Sequence, residues 1–223
     1  ETVRGLTVGV DLISSIYAGF KAHSRIAAFK GDSLKAHNDL LTAGRYQKIL
    51  EEQWWDNELK HYNTFWTEEQ KFYRGEGVPF ILWFDATDNA ERIKLSVKDI
   101  LENKKKWNIE NLSAFPMILY KFGYDKEAYD IMTTLPQLER SEYPEVSYAI
   151  VEGMVCGLMG IIPSAMDMTV ATCPSFTDSN NTSEIKNLPL WKGFITVKHI
   201  DNKKTIISNN TCLLYSSPSP RDS

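Results

Sequence analysis

The residues best suited to chemistry in this sequence are carboxylates placed beside aromatic rings, in three groups. In Ser141-Glu-Tyr-Pro-Glu-Val-Ser-Tyr148, Glu142 and Glu145 flank Tyr143-Pro144 at the entrance to an apolar run. Proline in a first helical turn fixes the local backbone and so holds its neighbours at defined positions. Two carboxylates can then divide acid–base work, one protonating a leaving oxygen and the other deprotonating water, as glycosidic-bond hydrolysis requires. Glu145 also fits a plain structural role, because an acid in a first turn stabilises the helix dipole. The second group is Trp54-Trp55-Asp56, His61-Tyr62-Asn-Thr-Phe-Trp66 and Phe72-Tyr73-Arg74-Gly75-Glu76-Gly77. Adjacent tryptophans are about 100° apart on a regular helix, so one of them is expected to leave the helix and line a loop. Arg74 and Glu76 form a polar, flexible turn suited to sugar hydroxyls, with Trp66 and Tyr73 as flat platforms; core packing is the competing role for each ring. In the third group, Trp107-Asn108-Ile-Glu110-Asn111, the polar side chains can bind hydroxyls, or Asn108 can cap the helix that follows with Glu110 in its first turn.

The elements that position these groups are mostly helices. Apolar residues at Val10, Ile13, Tyr17, Phe20, Ile26 and Ala27 predict a helix over 7–30, and Gly31-Asp32 ends it. Asp32 or Ser33 caps a second helix reaching about Trp54. Residues 55–77 read as irregular, with an extended piece near 61–66. A compact apolar run over 79–86 precedes a polar-faced helix from Asp88 or Asn89 to about Lys105. A buried helix over 108–122 carries Pro116 near its first turns and closes at Gly123. A short helix over 126–135 and a nearly all-apolar one over 146–161, expected to be buried on both faces, complete the series. The period then changes to two. Phe194, Thr196 and Lys198 alternate with Ile195, Val197 and His199, and Asp201-Asn202 marks a hairpin.

The expected organisation is therefore a mainly α body over 1–165, a polar linker over 166–189 and the start of a small β-domain over 190–211. Residues 212–223 resemble a translated sequencing-adapter tail and are expected to have no place in the fold. The formal net charge of -4, with both signs interspersed, gives no basic footprint for nucleic acid. The run over 151–163 is shorter than the ~20 residues a membrane helix needs, so no membrane insertion is expected. No metal-pair spacing or phosphate-binding loop occurs, so neither metal nor cofactor is expected. His23, His37 and His199 are scattered and read as solvated or incidental. The three cysteines have no metal spacing, and Cys156 reads as a small buried hydrophobe.

Taken in chain order, these segments resemble the inverting six-hairpin glycosidases, the group that holds trehalases, mannosylglycerate-hydrolase-like enzymes and processing glucosidases. The resemblance covers roughly residues 5–165. It is carried by Val10-Asp11-Leu12 with Gly31-Asp32, by Gln53-Trp-Trp-Asp56 with Tyr62, by Asn108-Ile-Glu-Asn111 through Tyr120-Lys-Phe-Gly123 to Glu127-Ala128, and by Glu142-Tyr-Pro-Glu-Val-Ser-Tyr148. It implies part of an (α/α)6 toroid and a carbohydrate substrate. It also implies a general base at Glu142 or Glu145 and a general acid on a segment preceding residue 1. Glu142, Glu145, Arg74, Glu76 and Glu110 are then expected to converge on one face, lined by Trp66, Tyr73, Trp107 and Tyr143. Two other readings stay open. A polysaccharide lyase on a related toroid would use Tyr143 or Tyr73 with His61. A non-catalytic helical scaffold would show a repeat of fixed length, and none is visible.

Overall fold

The computed structural model describes residues 5–138, 143–177, 182–201 and 203–211. The chain divides into two compact units, 1–111 and 112–223. It is about 53% helical, with seven α-helices and several small antiparallel sheets among the described residues. The fold is thus mixed α and β, not mainly α and not a clear toroid.

The first unit opens with strand β1 (Leu6–Gly9), then helices α1 (Val10–Phe29) and α2 (Ser33–Ile49). Gly31 adopts φ +82° at the turn between them, and Asp32 caps α2 by accepting from the Lys35 amide at 3.0 Å. Phe20 stacks on Tyr46, His23 meets Asp39, and the Ser24 hydroxyl donates to the Ala36 carbonyl. In each pair a later residue of α1 meets an earlier one of α2, so the two helices run antiparallel. Asp39 is buried and holds both Lys35 Nζ at 2.6 Å and His23 Nδ1 at 2.7 Å; these bonds, Lys35 first, lower its pKa.

A π-helical turn, Leu50–Trp54, follows α2. Arg92 clamps it by donating to the Glu51 carbonyl at 2.7 Å and to the Glu51 carboxylate. The same guanidinium lies 4.6 Å from the centre of the Trp55 ring. The chain leaves the helix at Trp55, as the angular argument for two adjacent tryptophans demands. Both rings are nevertheless buried in the core with Val10, Ile13, Tyr17, Leu50, Tyr62 and Ile81. Strands β2 (Trp55–Asp56), β3 (His61–Tyr62), β4 (Phe65–Thr67) and β5 (Phe72–Tyr73) make two small antiparallel sheets, ordered β1-β4-β5 and β2-β3. Helix α3 (Val78–Trp83) packs against α1 and against α4 (Ala90–Glu102), which Asn89 caps through the Arg92 amide at 3.1 Å.

The division between units falls inside α5 (Ile109–Lys121). Asn108 caps α5 through the Asn111 amide at 2.8 Å, and Gly123 ends it with φ +78°. Pro116 lies in the helix interior rather than near its first turns. Helix α6 (Asp125–Thr134) and a 3-10 turn, Leu135–Gln137, lead towards α7 (Glu145–Glu152) and a second π-helical turn, Gly153–Leu158. Glycines seat this last helix. A Cβ on Gly157 would stand 2.3 Å from the Tyr120 ring, and one on Gly153 would touch Met132 and Pro116. The opposite side is open: Tyr148 is 73% exposed and Val151 58%. The expected burial on both faces is therefore half met, because the small residues line the packed side and the large ones do not.

The expected linker over 166–189 is mostly strand. β6 (Ile161–Ser164) pairs with β7 (Thr169–Thr172), and β8 (Thr182–Leu190) forms an antiparallel sheet with β9 (Gly193–Ile200) and β10 (Lys204–Asn209), β9 central. Thr169, Thr182 and Asn187 are exposed polar residues of these strands, and Ser175 and Thr177 lie between them. Ile195 and Val197 enter a core with Met159 and Ile161, while Phe194 points outward, as the alternation predicts. β8 breaks register between Ile185 and Leu188, where Asn187 adopts φ +53° and its amide donates to Thr196 Oγ1. His199 is fully buried, not solvated. Its Nε2 lies 3.0 Å from the Met159 carbonyl, which can only accept, so Nε2 carries the proton, and Nδ1 accepts from the Thr205 hydroxyl at 2.8 Å. Residues 212–223 lie outside the described residues. No helix among the described residues is long and apolar enough to cross a membrane.

Candidate functional site

Three of the side chains singled out in the sequence meet in one place in the first unit. A cavity of about 340 Å³ is lined by Arg74, Gly75, Glu76, Asp99, Asn103, Lys106 and Trp107. Arg74 and Glu76 come from the turn between β5 and α3. Asp99 and Asn103 come from the C-terminal end of α4, and Lys106 and Trp107 from the 3-10 turn, Lys104–Lys106, and the residue after it.

Packing fixes the turn. A Cβ on Gly75 would lie 2.1 Å from the Phe65 ring, and one on Gly77 would lie 2.6 Å from a Val10 methyl. The two glycines therefore serve close approach to β4 and α1, and the polar turn is held rather than flexible. The hydrogen bonds form a graded network. Arg74 pairs with the Asp99 carboxylate, which also accepts from Asn103 Nδ2 at 2.9 Å; Asn103 in turn accepts from Lys106 Nζ at 3.0 Å. Glu76 accepts from Asn111 Nδ2 at 2.8 Å. The capping residue Asn108 thus orders the helical turn whose Asn111 holds Glu76, as the capping reading of 107–111 expects. His61 stands in the fields of Arg74 and Asp99. Burial first, and Arg74 second, push its pKa down and favour the neutral ring.

The cavity thus presents one indole, two carboxylates, one amide and two cations, with formal charges that cancel. Such a surface can hold a neutral, hydroxyl-rich ring, with donors and acceptors at its edge and an indole for its C–H face.

Trp66 lines a different, apolar cavity of about 240 Å³ with Val8, Ile13, Gln53, Trp54 and Phe72. Tyr73 is 44% exposed on β5. Glu110 is exposed in the first turn of α5. Tyr143 and Glu145 belong to the second unit: Tyr143 is half-buried with φ +61°, and Glu145 is the exposed first residue of α7. Glu142 lies outside the described residues. Sequence reasoning passes over Asp99, Asn103 and Lys106, because at the polar-faced end of α4 and in the turn after it they read as a solvated face; their spacing of four and three residues is the available signal.

Compared with known proteins, the sequence matches no family model and no curated protein.

Proposed function

We propose that this chain is part of a glycoside hydrolase, with a saccharide bound in the cavity of Arg74, Glu76, Asp99, Asn103, Lys106 and Trp107. The observation that carries the reading is this meeting of an indole with two carboxylates and an amide in a charge-balanced cavity. Within it, Trp107 stacks the sugar's apolar face and the carboxylates accept from its hydroxyls. The helices would be part of an (α/α)6 arrangement, and the bond would be cleaved by two carboxylates with inversion. In such a step water adds to the anomeric carbon and loses a proton to the base. The glycosidic C–O bond breaks, and its oxygen takes a proton from the acid. Glu142 and Glu145 are the candidates for the base, with the acid on a segment preceding residue 1.

Calorimetric titration of the chain with neutral mono- and disaccharides tests the binding. At least one should bind, and Trp107→Ala and Glu76→Gln should weaken it tenfold or more. No binding across the panel refutes the reading. In a longer polypeptide that turns over, Glu142→Gln or Glu145→Gln should abolish hydrolysis. The neutral His61 beside Arg74 favours one second reading, a lyase in which His61 takes a proton from a uronic acid. An unsaturated, ultraviolet-absorbing product, rather than a hydrolysed one, would select it.

A further inference from the structure

We infer that His199 is a pH-sensitive latch, which on gaining a proton releases the sheet of β8, β9 and β10 from the β6–β7 pair and the second π-helical turn while the helices of that unit stay folded. The two sheets are separate, and among the described residues no backbone hydrogen bond joins them. Side chains hold them together. Ile195 and Val197 of β9 pack on Met159 and Ile161, and His199 follows on the same buried face. Its Nε2 lies 3.0 Å from the Met159 carbonyl, just past the π-helical turn, and 3.2 Å from Thr172 Oγ1 on β7. Its Nδ1 lies 2.8 Å from Thr205 Oγ1 on β10, and the Phe176 ring stands edge-on to it. One imidazole thus binds both sides of the seam.

The bonds suit the neutral ring. Nε2 donates to the carbonyl, and Nδ1 accepts from Thr205. A proton on Nδ1 makes that atom a donor, so the Thr205 hydroxyl must turn, and a full positive charge is left out of reach of water. The groups that face the ring are uncharged: the Met159 carbonyl, the Thr172 and Thr205 hydroxyls, Phe176, and Ser183 opposite it on β8. Glu184, Lys198 and Lys204 alternate with these strand positions and so belong to the other face of the sheet. Asp201 and Lys203 lie in the β9–β10 turn, Cys156 in the π-helical turn, and Asp167 between β6 and β7, bonded to Ser164. What acts on the ring is its own burial, which lowers its pKa, opposed by the bond to Met159. The closed arrangement is therefore fully favoured above the ordinary 6.5 and weakens as pH falls below it.

The helices do not depend on the sheet for their packing. Gly153 sits on Met132 and Pro116, and Gly157 on Tyr120, whereas Met159, Ile161, Ile195 and Val197 form a cluster of their own. Opening the seam wets that second cluster and hydrates the imidazolium, and it leaves the contacts among α5, α6 and α7 in place.

Hydroxyl-radical oxidation of the whole chain, read by mass spectrometry, reports the opening. Two methionines of the second unit are equally buried, each 3% exposed: Met159 at the latch and Met132 among the helices. From about pH 7.5 to about pH 5.5, oxidation of Met159 should rise on the order of threefold or more, and by at most about tenfold per pH unit for one proton. Met132 should stay protected, and the exposed Met154 and Met168 correct for radical dose. His199→Gln is uncharged at every pH and can still donate to the carbonyl, so it should abolish the rise. Met159 oxidation that does not change with pH overturns the inference, and so does a rise that survives His199→Gln. A matching rise at Met132 overturns it too, because the whole unit is then unfolding. If circular dichroism shows His199→Gln misfolded, the His199 imidazole resonance of the parent must titrate with the same midpoint as Met159 oxidation. Different midpoints overturn the latch.

Discussion

Gly75→Ala tests how the fold holds the saccharide cavity. The added Cβ would stand 2.1 Å from Phe65 Cε2, 2.8 Å from Cζ and 3.2 Å from Cδ2. Carbon atoms rest about 3.5–4.0 Å apart, so the ring or the turn must move by more than an ångström. Forcing one extra carbon into a packed site costs about 1–3 kcal/mol, against a gain of about 0.4–1 kcal/mol from the stiffer unfolded chain. The net expectation is a destabilisation of about 1–2 kcal/mol. Urea unfolding followed by tryptophan fluorescence reads the correct unit, since Trp54, Trp55, Trp66, Trp83 and Trp107 all belong to the first. With a denaturant slope of about 2 kcal/mol per molar, the midpoint should fall by about 0.5–1 M. Because Arg74 and Glu76 flank Gly75, saccharide affinity should fall as well. Phe65→Leu removes the two ring atoms nearest the added carbon. The double variant should therefore be more stable than the sum of the single effects predicts, by about 1 kcal/mol. If Gly75→Ala is as stable as the parent, or if the two changes simply add, Phe65 does not wall the turn and the account of the cavity is wrong.

Three further outcomes follow from the packing and charges. Gly157→Ala in the second unit, where a Cβ would lie 2.3 Å from the Tyr120 ring, should destabilise by about 1–2 kcal/mol in chemical denaturation. Arg92→Met should cost about 1–3 kcal/mol, because it removes the charged donor from the Glu51 carboxylate and carbonyl and leaves the carboxylate the Tyr62 hydroxyl, and adding Glu51→Gln should recover part of the loss in a double-mutant cycle. Burial lowers the folded-state pKa of His199 from its ordinary 6.5, so below about pH 6.5 the unfolded chain binds a proton that the folded one refuses. The stability it contributes is present above that pH and is lost as pH falls, with a slope of at most about 1.4 kcal/mol per pH unit, and His199→Gln should flatten the slope between pH 7 and 5. Asp39 and Asp56, whose pKa values are also lowered, act in a separate window below their ordinary 3.8.

Local signals in the sequence were legible wherever one side chain acts on its own neighbours. Asp32, Asn89 and Asn108 each cap the helix they announce, Gly31 and Gly123 take the left-handed backbone their positions call for, and the alternation from Phe194 to His199 sorts the two faces of β9. What failed depends on partners distant in sequence. Pattern alone expected α7 to be buried on both sides; its packed side is the glycine side, chosen by Tyr120, Met132 and Pro116. His199 reads as an isolated polar residue until Met159, Thr172 and Thr205 surround it. The site was half legible for the same reason. Arg74, Glu76 and Trp107 announce themselves among aromatics and glycines, whereas Asp99 and Asn103 look like any helical pair until Arg74 reaches Asp99 from 25 residues away. Trp66, expected on the same face as Arg74, Glu76 and Trp107, lines a different cavity, because β4 turns it towards Trp54 and Phe72.

The irregularity in β8 bears on how copies of this protein behave together at high concentration. Among the described residues β8 and β10 are the two outer strands of their sheet, and an outer strand offers a ladder of free amides and carbonyls to any strand from another molecule. Along β8 that ladder is broken. The backbone kinks at Asn187, Pro189 has no amide to donate, and Lys186 would bring its charge against an identical copy. β10 has neither the kink nor a proline; it begins at Lys204 and carries Ile206, which is 40% exposed. Among the described residues, self-association through this sheet would therefore start at β10 and stop after one pairing, since two copies joined there leave its β8 edges outward. A concentrated solution should accumulate paired sheets, not filaments.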